Sequence, residues 1–476
     1  MRKTKIVCTL GPSTDRDGVL EALVLGGMDI ARFNFSHGDH EEHRRRLEAL
    51  RAYGKAHDCP VAAMLDTGGP EIRLGEFGHT REELKTGQQF VLTSERVLGD
   101  SGICSVSYPN LWKEVEEGGH IMLDDGRISL RITKVREKEI VCTVENGGVI
   151  KSRKGVNVPG VHLTMPYLSK KDREDILFGV EQGFDLIAAS FTRCAEDILE
   201  MRALLGEKQE TVRIIAKIEN REGVDNIEEI LKVADGIMVA RGDMGVEIDY
   251  TVLPALQKQL IRRAVEAGKL AITATQMLDS MIGNPRPTRA EITDVANAIY
   301  DGATAVMLSG ETAVGMYSVE ALHVMSAIVE ATENGVEYSQ LSGHIRMRDS
   351  DMGINGATAY AAAAIADRLG AKAIITVSQS GETVRLISGC RPTTPVVACV
   401  QSEEIRRRAN FYRGTIPVVM GPSASTDELI ENGIKAALER GLVEKGDTVV
   451  VTAGVPIGIP GTTNMIKVHV AGEKGF

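Results

Sequence analysis

The segment from residue 212 to residue 248 contains two apolar runs that each end in charged residues. The first run ends in Lys217 and Glu219, and the second ends in Arg241 and Asp243. Side chains alternate along a strand, so Lys217 and Glu219 share one face, and neighbouring strands lie about 5 Å apart. Charge at the end of a buried strand is costly unless it is compensated. We therefore expect Glu219 and Asp243 to hold one cation beside the lysine.

The cation that suits this pair of carboxylates is Mg²⁺ (or Mn²⁺). Magnesium takes one or two protein carboxylates and leaves its other positions to water or phosphate, whereas a dedicated calcium cage needs more oxygens. The alternative is a structural ion pair between Lys217 and Glu219, with Asp243 unrelated to it.

A second group of polar residues ends the second and third apolar runs. Its oxygen atoms suit a hard cation of low charge. The members are Asn34, Ser36, Asp66 and Thr67. Arg32 shares a strand face with Asn34 and Ser36 and supplies a fork for a phosphate or carboxylate. Ser36 could instead cap the next helix, because Ser36 followed by Asp39 resembles a capping box.

Polar side chains also end the seventh and eighth apolar runs. They are Thr275, Ser309 and Glu311. A single threonine or serine at such a position is most often a turn or cap residue. A separate group, His37, His40 and His43, repeats every three residues. Because that spacing drifts round a helix and fixes no carboxylate partner, we interpret the histidines as a solvated helical face rather than a metal site.

Together these residues indicate phosphoryl transfer. Metal-binding carboxylates, a lysine, an arginine and a second cation pocket are the parts with which proteins position phosphates and neutralise their charge. The chain contains no G-x-x-x-x-G-K-[ST] sequence, which excludes a P-loop.

The elements that position these residues are eight short apolar runs separated by helical patterns. The runs are KIVCTLGP, DIARFNFS, VAAMLDT, DLIAASF, VRIIAKIE, GIMVARGD, LAITATQM and AVMLSGET. Alternating strands and helices are typical of a parallel sheet, and eight such strands close a barrel with its active site at their carboxyl ends. We predict an α/β fold built on a (β/α)8 TIM barrel.

Residues 70–159 interrupt this alternation and carry hairpin signals. HIMLDDGRISLRI contains a turn signal at Asp125 and Gly126, and EIVCTVENGGVIKS contains one at Asn146 and Gly147. We predict a small inserted β-barrel that acts as a lid over the mouth of the large barrel, with Pro70 and Pro159 near its hinges.

The chain beyond the barrel predicts a third unit. The polar stretch EYSQLSGHIRMRDSDMGING is typical of a linker, and from Ala357 strands and helices alternate again. Four strands are predicted there, within ATAYAAAAIADRLGAKAIITV, TPVVACV, TIPVV and DTVVVTAG. The predicted domains are a barrel of residues 1–69 and 160–340, a lid of residues 70–159 and a C-terminal α/β domain of residues 341–476.

One turn of the C-terminal domain is a candidate effector site. Polar residues between a strand and a helix offer hydroxyls and backbone N–H groups that suit a phosphate. They are Ser378, Ser380, Gly381 and Thr383. Ordinary helix capping would use the same residues.

Composition limits the partners of the chain. Its 476 residues include 55 Lys and Arg against 66 Asp and Glu, a net charge of −11, so we expect no general attraction to nucleic acid or an anionic membrane. No apolar window reaches transmembrane length, and the 7 cysteines show no C-x-x-C spacing. We expect a cytoplasmic protein.

The sequence resembles the pyruvate kinase family along nearly its whole length. The matching segments are NFSHG, LDTGGPEIR, IIAKIENREGVDN, MVARGDMGVEI, ITATQMLDSMIGNPRPTRAEITDVANAIYDGATAVMLSGETAVG and a final GTTN, in the family's order. The resemblance implies transfer of phosphate from phosphoenolpyruvate to ADP, giving pyruvate and ATP, with Mg²⁺ (or Mn²⁺) and K⁺ as cofactors. It also implies a homotetramer.

The resemblance also assigns roles to residues of this chain. Glu219 and Asp243 bind the divalent metal, and Lys217 stabilises the phosphoryl group during transfer. The substrate is held by Arg32, Gly242, Asp243 and Thr275. The potassium ligands are Asn34, Ser36, Asp66 and Thr67. The nucleotide contacts are Arg73, Lys171 and Asn34. The path of the proton to the enolate passes the region of Thr275, Ser309 and Glu311.

Three further positions bear on the resemblance. Gly68 stands where many family members have a lysine, which leaves no positive charge at that position near the potassium site. Glu71 matches the acidic residue of potassium-dependent members, in place of a lysine that can substitute for the ion. Glu382 stands where members activated by fructose bisphosphate have a basic residue, which argues against that effector and leaves AMP or a monophosphorylated sugar as candidates.

Two other functions fit parts of the pattern. A barrel enzyme that uses Mg²⁺ on a keto acid or its enol, such as an aldolase or lyase, would need neither the potassium pocket nor Arg73 nor the lid. A non-catalytic metabolite sensor would not need suitable residues at every catalytic position, as found here.

Overall fold

The computed structural model describes residues 2–335, 353–456 and 462–473. Eight parallel strands form a closed barrel. Numbered along the whole chain, they are β1 (Lys5–Thr9), β2 (Ile30–Asn34), β3 (Ala62–Asp66), β13 (Leu186–Ala189), β14 (Arg213–Ile218), β15 (Gly236–Ala240), β16 (Leu270–Ala274) and β17 (Ala305–Leu308). Each predicted apolar run supplies one strand, in the order β1-β17-β16-β15-β14-β13-β3-β2 around the barrel, which confirms the TIM barrel.

Helices cover the outside of the barrel and pack on the larger core cluster. They are α1 (Val19–Leu25), α2 (His40–Ala56), α4 (Lys170–Gln182), α5 (Ala195–Leu205), α6 (Arg221–Asp225), α7 (Ile227–Val233), α8 (Arg241–Glu247), α9 (Leu253–Glu266), α10 (Arg289–Tyr300), α11 (Gly310–Ala313) and α12 (Ser318–Glu333). Two 3₁₀ turns add Gly206–Lys208 and Asp279–Ile282. Among the described residues, no helix has both the length and the apolar character needed to span a bilayer.

The interior of the barrel changes from apolar to charged along its strands. Ile30, Met64 and Ile215 belong to the interior core cluster. The residue two positions further along each strand lies on the same face. These later residues are Arg32, Asp66 and Lys217. Because every second residue of a strand faces the interior, these charged side chains lie at the mouth of the barrel.

The inserted segment folds as a curved sheet. Its strands are β4 (Ile72–Arg73), β5 (Glu82–Leu84), β6 (Gln89–Thr93), β7 (Ile103–Ser105), β8 (His120–Leu123), β9 (Ile128–Arg136), β10 (Glu139–Asn146), β11 (Gly148–Ile150) and β12 (Gly155–Asn157), with the short helix α3 (Leu111–Glu114). Seven of them pair in the order β4-β12-β8-β9-β10-β6-β7, while β11 pairs with β5. The edges of the larger sheet meet at a bridge between Leu74 and Val106.

One of the two predicted hairpins is confirmed and the other is wrong. Strands β8 and β9 pair across the turn at Asp125 and Gly126, both with positive φ. Strand β11, in contrast, pairs with β5 and not with β10. The chain crosses to β5 because the Gly147 backbone packs tightly there, where an added Cβ would lie 2.3 Å from the Leu84 carbonyl oxygen.

The C-terminal unit is a five-stranded sheet with helices around it. Its elements are α13 (Gly353–Leu369), β18 (Ala373–Val377), α14 (Glu382–Gly389), β19 (Val396–Val400), α15 (Glu403–Asn410), β20 (Thr415–Val419), α16 (Thr426–Glu439), β21 (Thr448–Gly454) and β22 (Thr463–Val470). The sheet order is β20-β19-β18-β21-β22, with β22 antiparallel to β21. Sequence analysis predicted four of these strands and missed β22. Most of the predicted linker, and the boundary predicted at residues 340 and 341, lie outside the described residues, and all the domain boundaries stay predictions.

Candidate active site

A buried charged network centred on Lys217 occupies the mouth of the barrel. Lys217 Nζ lies 3.1 Å from Asp66 Oδ1 and 3.0 Å from Glu219 Oε1, and it donates a hydrogen bond of 2.8 Å to Ser190 Oγ. On its other side, Asp66 accepts a hydrogen bond from Arg32 Nε. Three of these four charged side chains come from different strands, and the structure brings all of them together. Ser190, which sequence analysis did not identify, completes the network.

The electrostatics of this network keep Lys217 and Asp66 ionised. Burial favours the neutral form of Lys217, but Asp66 and Glu219 outweigh it and raise the pKa of the ammonium. Burial likewise opposes ionisation of Asp66, but Arg32 and Lys217 outweigh it and lower the pKa of that carboxyl. Two cationic side chains, Arg32 and Lys217, are therefore held in place by Asp66.

One oxygen atom of Glu219 takes part in the ion pair with Lys217 but accepts no hydrogen bond from the described residues. Its Oε2 accepts a hydrogen bond of 2.6 Å from the Phe191 N–H. Its Oε1 is buried and, among the described residues, has no hydrogen bond of acceptable geometry despite its closeness to Lys217. Burial raises the pKa of Glu219 to about 7, and the nearby charge of Asp243 contributes to the rise. A buried acceptor beside a second carboxylate suits a divalent cation.

Asp243 lies in the first turn of α8 and lines the cleft above the network. The preceding N–H, of Gly242, donates a 2.8 Å hydrogen bond to Thr275 Oγ1, which itself donates to the Ala274 carbonyl. Thr275 has a φ of 67°, a costly conformation for a β-branched residue. Arg241, to which sequence analysis assigned no role, donates a 2.7 Å hydrogen bond to the Thr275 carbonyl and helps to hold that conformation.

The predicted ligands of the monovalent cation lie on adjacent strand ends. Asn34 and Asp66 are paired in register between β2 and β3. Ser36 lies beside the next loop, because a Cβ on Gly68 would lie 3.8 Å from Ser36 Oγ. Thr67 Oγ1 donates to the Ala188 carbonyl and accepts from the Ser190 N–H, so its hydroxyl is engaged with the neighbouring strand. The set is rich in oxygen, as predicted from the sequence.

The capping interpretation of Ser36 is wrong. Helix α2 begins at His40, and its N-cap is Asp39, whose side chain accepts a 2.9 Å hydrogen bond from the Glu42 N–H. Asp39 caps the helix in place of Ser36 because it directly precedes the first helical residue and has an extended backbone conformation. The Ser36 hydroxyl is therefore not used by the helix.

The interpretation of the histidines as a solvated face is wrong for His43, whereas the side chain of His40 is 41% exposed. His43 is only 3% exposed and its ring stacks on Phe35 at 4.1 Å. His40 stacks on Phe178 at 4.2 Å, and its Nε2 lies 2.7 Å from Asp175 Oδ1. The aromatic side chains that cover them come from β2 and α4, which sequence spacing alone does not bring together.

Ser309 and Glu311 lie at the carboxyl end of β17. Glu311 is buried, and its two oxygens accept hydrogen bonds from the Leu278 and Ser309 N–H groups at 3.0 and 2.7 Å. Burial raises the pKa of Glu311. Ser309 Oγ is buried and makes no hydrogen bond within the described part of the chain. Glu311 thus joins the loop that contains Leu278 to the loop that contains Ser309. The Ser309 hydroxyl remains available to bind a ligand.

A cleft of about 560 Å³ lies between the lid and the barrel. Arg73 lines it and pairs with Glu71. Lys154 also lines it, 2.7 Å from Asp124, and was missed by sequence analysis because only the pairing of β12 with β4 brings it beside Arg73. Lys171 is not among the residues that line the cleft.

Comparisons with known proteins agree with this geometry. Residues 1–322 match the family described as "Pyruvate kinase, barrel domain", and residues 356–469 match "Pyruvate kinase, alpha/beta domain". The chain belongs to the pyruvate kinase family. Two curated relatives named pyruvate kinase, from Staphylococcus aureus strains MRSA252 and USA300, are 47% and 46% identical to all 476 residues, which cover 81% of each relative. The chain is accordingly a phosphotransferase.

In the α/β domain of this pyruvate kinase family member, the candidate effector turn is largely closed on itself. Ser378 Oγ accepts the Gly381 N–H at 3.0 Å, and Ser380 Oγ accepts the Glu382 N–H at 3.4 Å. Thr383 Oγ1 lies 2.6 Å from Thr463 Oγ1 and is buried. Of the hydroxyls in the predicted set, that of Ser380 lies on an exposed residue.

Proposed function

We propose that the chain transfers the phosphoryl group of phosphoenolpyruvate to ADP, giving pyruvate and ATP, with Mg²⁺ (or Mn²⁺) and K⁺ as cofactors. The observation that carries this proposal is the buried network of Arg32, Asp66, Lys217 and Glu219 below the cleft, with one Glu219 oxygen lacking a hydrogen bond among the described residues. Both cationic side chains face the place where a phosphate would lie.

The divalent site would be formed by Glu219 and Asp243. Among the described residues, no three or more His, Cys, Asp or Glu side chains form a group that could hold a metal ion, so phosphate and water would complete the coordination. A divalent cation bound there would neutralise charge on the transferring phosphoryl group. The raised pKa of Glu219 means that the cation competes with a proton for this carboxylate.

The side chains around that site have separate tasks. Arg32 would bind the phosphate of phosphoenolpyruvate as a fork, and Lys217 would stabilise the charge that develops during transfer. The turn formed by Gly242, Asp243 and Thr275 would orient the substrate. Ser309 lies in the region from which the enolate would receive its proton.

The nucleotide would enter the cleft from the lid side. Arg73 and Lys154 supply positive charge there, and Asn34 is the third predicted contact. Lys171, the remaining predicted contact, bonds to the Phe35 carbonyl and to Asp175 and would reach the nucleotide from there.

The monovalent site would use oxygens of Asn34, Ser36, Asp66 and Thr67. The donor set fits K⁺, since amide, hydroxyl, carboxylate and carbonyl oxygens converge from β2 and β3. Regulation by AMP or a monophosphorylated sugar at Ser378, Ser380, Gly381 and Thr383, and assembly as a homotetramer, complete the proposal.

An assay of ATP formation tests the reaction. The purified chain is supplied with phosphoenolpyruvate and ADP, with Mg²⁺ and K⁺ present together, singly or not at all. We expect ATP only with Mg²⁺ and faster formation with K⁺. Absence of ATP with both ions present would contradict the proposed reaction.

A further inference from the structure

The hydroxyl of Ser190 lies between the proposed phosphoryl-transfer lysine and the proposed potassium pocket. The residue directly follows β13 at the carboxyl end of the barrel and is 1% exposed. Its Oγ accepts a hydrogen bond of 2.8 Å from Lys217 Nζ. On the other side, the same Oγ lies 2.7 Å from the Thr67 carbonyl oxygen and 3.0 Å from Asp66 Oδ1. One buried hydroxyl therefore contacts residues of both proposed sites.

A serine hydroxyl has a single proton, which limits the hydrogen bonds that Ser190 can donate. Lys217 uses one lone pair of the oxygen, and the proton goes either to the Thr67 carbonyl or to Asp66 at any one time. The Thr67 carbonyl is also the oxygen that this residue would offer to K⁺, because its hydroxyl already donates to the Ala188 carbonyl and accepts from the Ser190 N–H. A cation on that carbonyl would repel the positively polarised hydrogen and turn it to Asp66.

The main chain around Ser190 is held in place, so the hydroxyl proton is the part that can reorient. A Cβ added to Gly69 would lie 2.9 Å from both the Cβ and the carbonyl oxygen of Ser190, so the loop after β3 packs directly on this residue. The Ser190 N–H donates to Thr67 Oγ1 at 3.1 Å, and the next N–H, of Phe191, donates to Glu219 Oε2 at 2.6 Å. The route between the two sites is therefore the hydroxyl and not a shift of the strand.

We propose that Ser190 is a positioning residue that couples the monovalent-cation pocket to Lys217 through its hydroxyl. With K⁺ bound, the proton turns to Asp66 Oδ1, an oxygen that Lys217 Nζ also contacts at 3.1 Å. Because Oδ1 then serves a second donor, it holds the ammonium less tightly, and Lys217 is freer to stabilise the transferring phosphoryl group. This inference rests on the proposed function, because it needs K⁺ to bind at the Thr67 carbonyl.

The first test is Ser190→Ala, which removes the hydroxyl. We expect kcat at saturating K⁺ to fall about tenfold, the scale typical of lost support around a metal site. The ratio of kcat with K⁺ to kcat without K⁺ should fall towards one, because the ion no longer acts on Lys217. The matched control is Ser318→Ala, at the start of α12. Ser318 is also 1% exposed, and its Oγ accepts from Arg16 Nη2 at 3.3 Å and donates to the Gly315 carbonyl at 3.1 Å. The control should keep the wild-type ratio.

Two further variants separate the hydroxyl from simple packing. Ser190→Thr keeps the hydroxyl but adds a methyl group beside the closely packed Gly69, and it should retain the K⁺ activation ratio of the wild type. Ser190→Cys nearly keeps the shape, but its thiol is a weak donor, so its ratio should fall as in Ser190→Ala, which it replaces if the alanine variant fails to fold. A wild-type ratio in Ser190→Cys, with a lost ratio in Ser190→Thr, would assign the effect to packing and overturn the proposal.

The coupling is also measured without turnover. Oxalate is titrated by calorimetry into the protein saturated with Mn²⁺, in KCl and in tetramethylammonium chloride at equal ionic strength. If the two sites are coupled, K⁺ must change the affinity for a ligand that contacts Lys217, since coupling is reciprocal. We expect K⁺ to lower the Kd of oxalate by about fivefold in the wild type and in Ser318→Ala, and by less than about twofold in Ser190→Ala.

The outcomes distinguish this inference from the proposed function. A wild type that forms no ATP, but binds oxalate more tightly in K⁺ with the effect lost in Ser190→Ala, would contradict the reaction and support the coupling. A wild type that forms ATP, with the same K⁺ effect on kcat and on oxalate affinity in Ser190→Ala, would overturn the coupling. The coupling would also be overturned if K⁺ leaves the oxalate affinity of the wild type unchanged.

Discussion

At the scale of single residues, the site depends on charges that are buried but fully paired. Burial lowers the pKa of Lys217, but Asp66 and Glu219 outweigh it and raise the pKa, so the ammonium keeps its charge. Removing the partners of any one of these groups would leave an unpaired charge buried away from water, which costs folding free energy. The network is consequently preorganised before substrate binds, which is the property that electrostatic stabilisation of a transition state requires.

Replacing Lys217 tests its part in phosphoryl transfer. Lys217→Met should lower kcat by at least about a hundredfold, because a preorganised donor aimed at developing charge is lost. Binding of Mn²⁺, measured by titration, should be retained because the two carboxylates remain. Lys232→Met is the control, since the Lys232 side chain is 67% exposed and pairs only with a carboxylate three residues away on its own helix. Near-normal turnover in Lys217→Met would remove this lysine from the mechanism.

Glu71 tests the potassium requirement. Its carboxyl pairs with Arg73, and burial raises its pKa despite Arg73 and Lys217. Glu71→Lys would place a fixed positive charge close to the site, so part of the role of the ion is supplied by the protein. We expect the ratio of rates with and without K⁺ to fall towards one. Equal rates with and without K⁺ in the wild type, in sodium-free buffer, would refute the requirement itself.

At the scale of elements, the lid is joined to the barrel by few side chains near its ends. Asn157 of β12 donates a 3.0 Å hydrogen bond to Glu247 of α8. The large cleft lies between the two units, so rotation of the lid would change its width. The hinges predicted from the sequence lie near Pro70 and Pro159.

Ligand binding should therefore rotate the lid as a body. Crystal structures without ligand and with Mg²⁺, ADP and the phosphoenolpyruvate analogue oxalate would be superposed on the barrel strands. We expect residues 70–159 to move towards the barrel mouth in the complex while the lid's own sheet is unchanged. The same lid angle in both structures would count against the hypothesis.

Periodicity predicted the barrel because its information is local. Each of the eight apolar runs became a strand, and the alternation that put Lys217 and Glu219 on one face also put Asp66 two positions after Met64. Strand β22 was missed although Ile466, Val468 and Val470 alternate with polar residues in its sequence, and the second lid hairpin was wrong because β11 pairs with β5. Neither the periodicity of a strand nor a local turn signal shows which distant segment a strand will pair with.

The residues of the candidate site likewise fall into those that local sequence predicts and those that only distant contacts bring together. Glu219, Asp243 and Lys217 were predicted because strand ends carry them in sequence. Ser190 and Lys154 were not, since each reaches its place through contacts with segments far away in the chain. The positive φ of Thr275 could not be predicted either, because neither composition nor residue spacing indicates it.

At the scale of the whole molecule, one buried apolar cluster contains residues of both the barrel and the C-terminal unit. Phe411 and Tyr412 belong to the same buried cluster as the interior residues of β1 to β3 and β13 to β17. Ion pairs cross the same boundary, such as Arg406 with Asp58 and Arg407 with Asp185. A ligand that shifts the C-terminal sheet would therefore press directly on the amino ends of the barrel strands.

Calorimetry tests whether the C-terminal turn binds an effector. AMP, a monophosphorylated sugar and fructose bisphosphate would each be titrated into the wild type and into Ser380→Ala. We expect AMP or the monophosphate to bind, and binding to weaken in the variant because an exposed hydroxyl is lost. Fructose bisphosphate should bind poorly, since Glu382 is paired with Arg385 at the start of α14 and presents negative charge there. Equal binding of AMP or the monophosphate to both proteins would place their site elsewhere.

The claim on which the rest depends is that Glu219 and Asp243 bind one divalent ion beside Lys217. Its most direct test is an anomalous diffraction map at the manganese edge, from crystals soaked with MnCl₂ and oxalate. We predict one peak within coordination distance of both carboxylates, with Lys217 Nζ against the bound oxalate. A peak that touches neither carboxylate, or separate peaks for Glu219 and Asp243, would contradict the account.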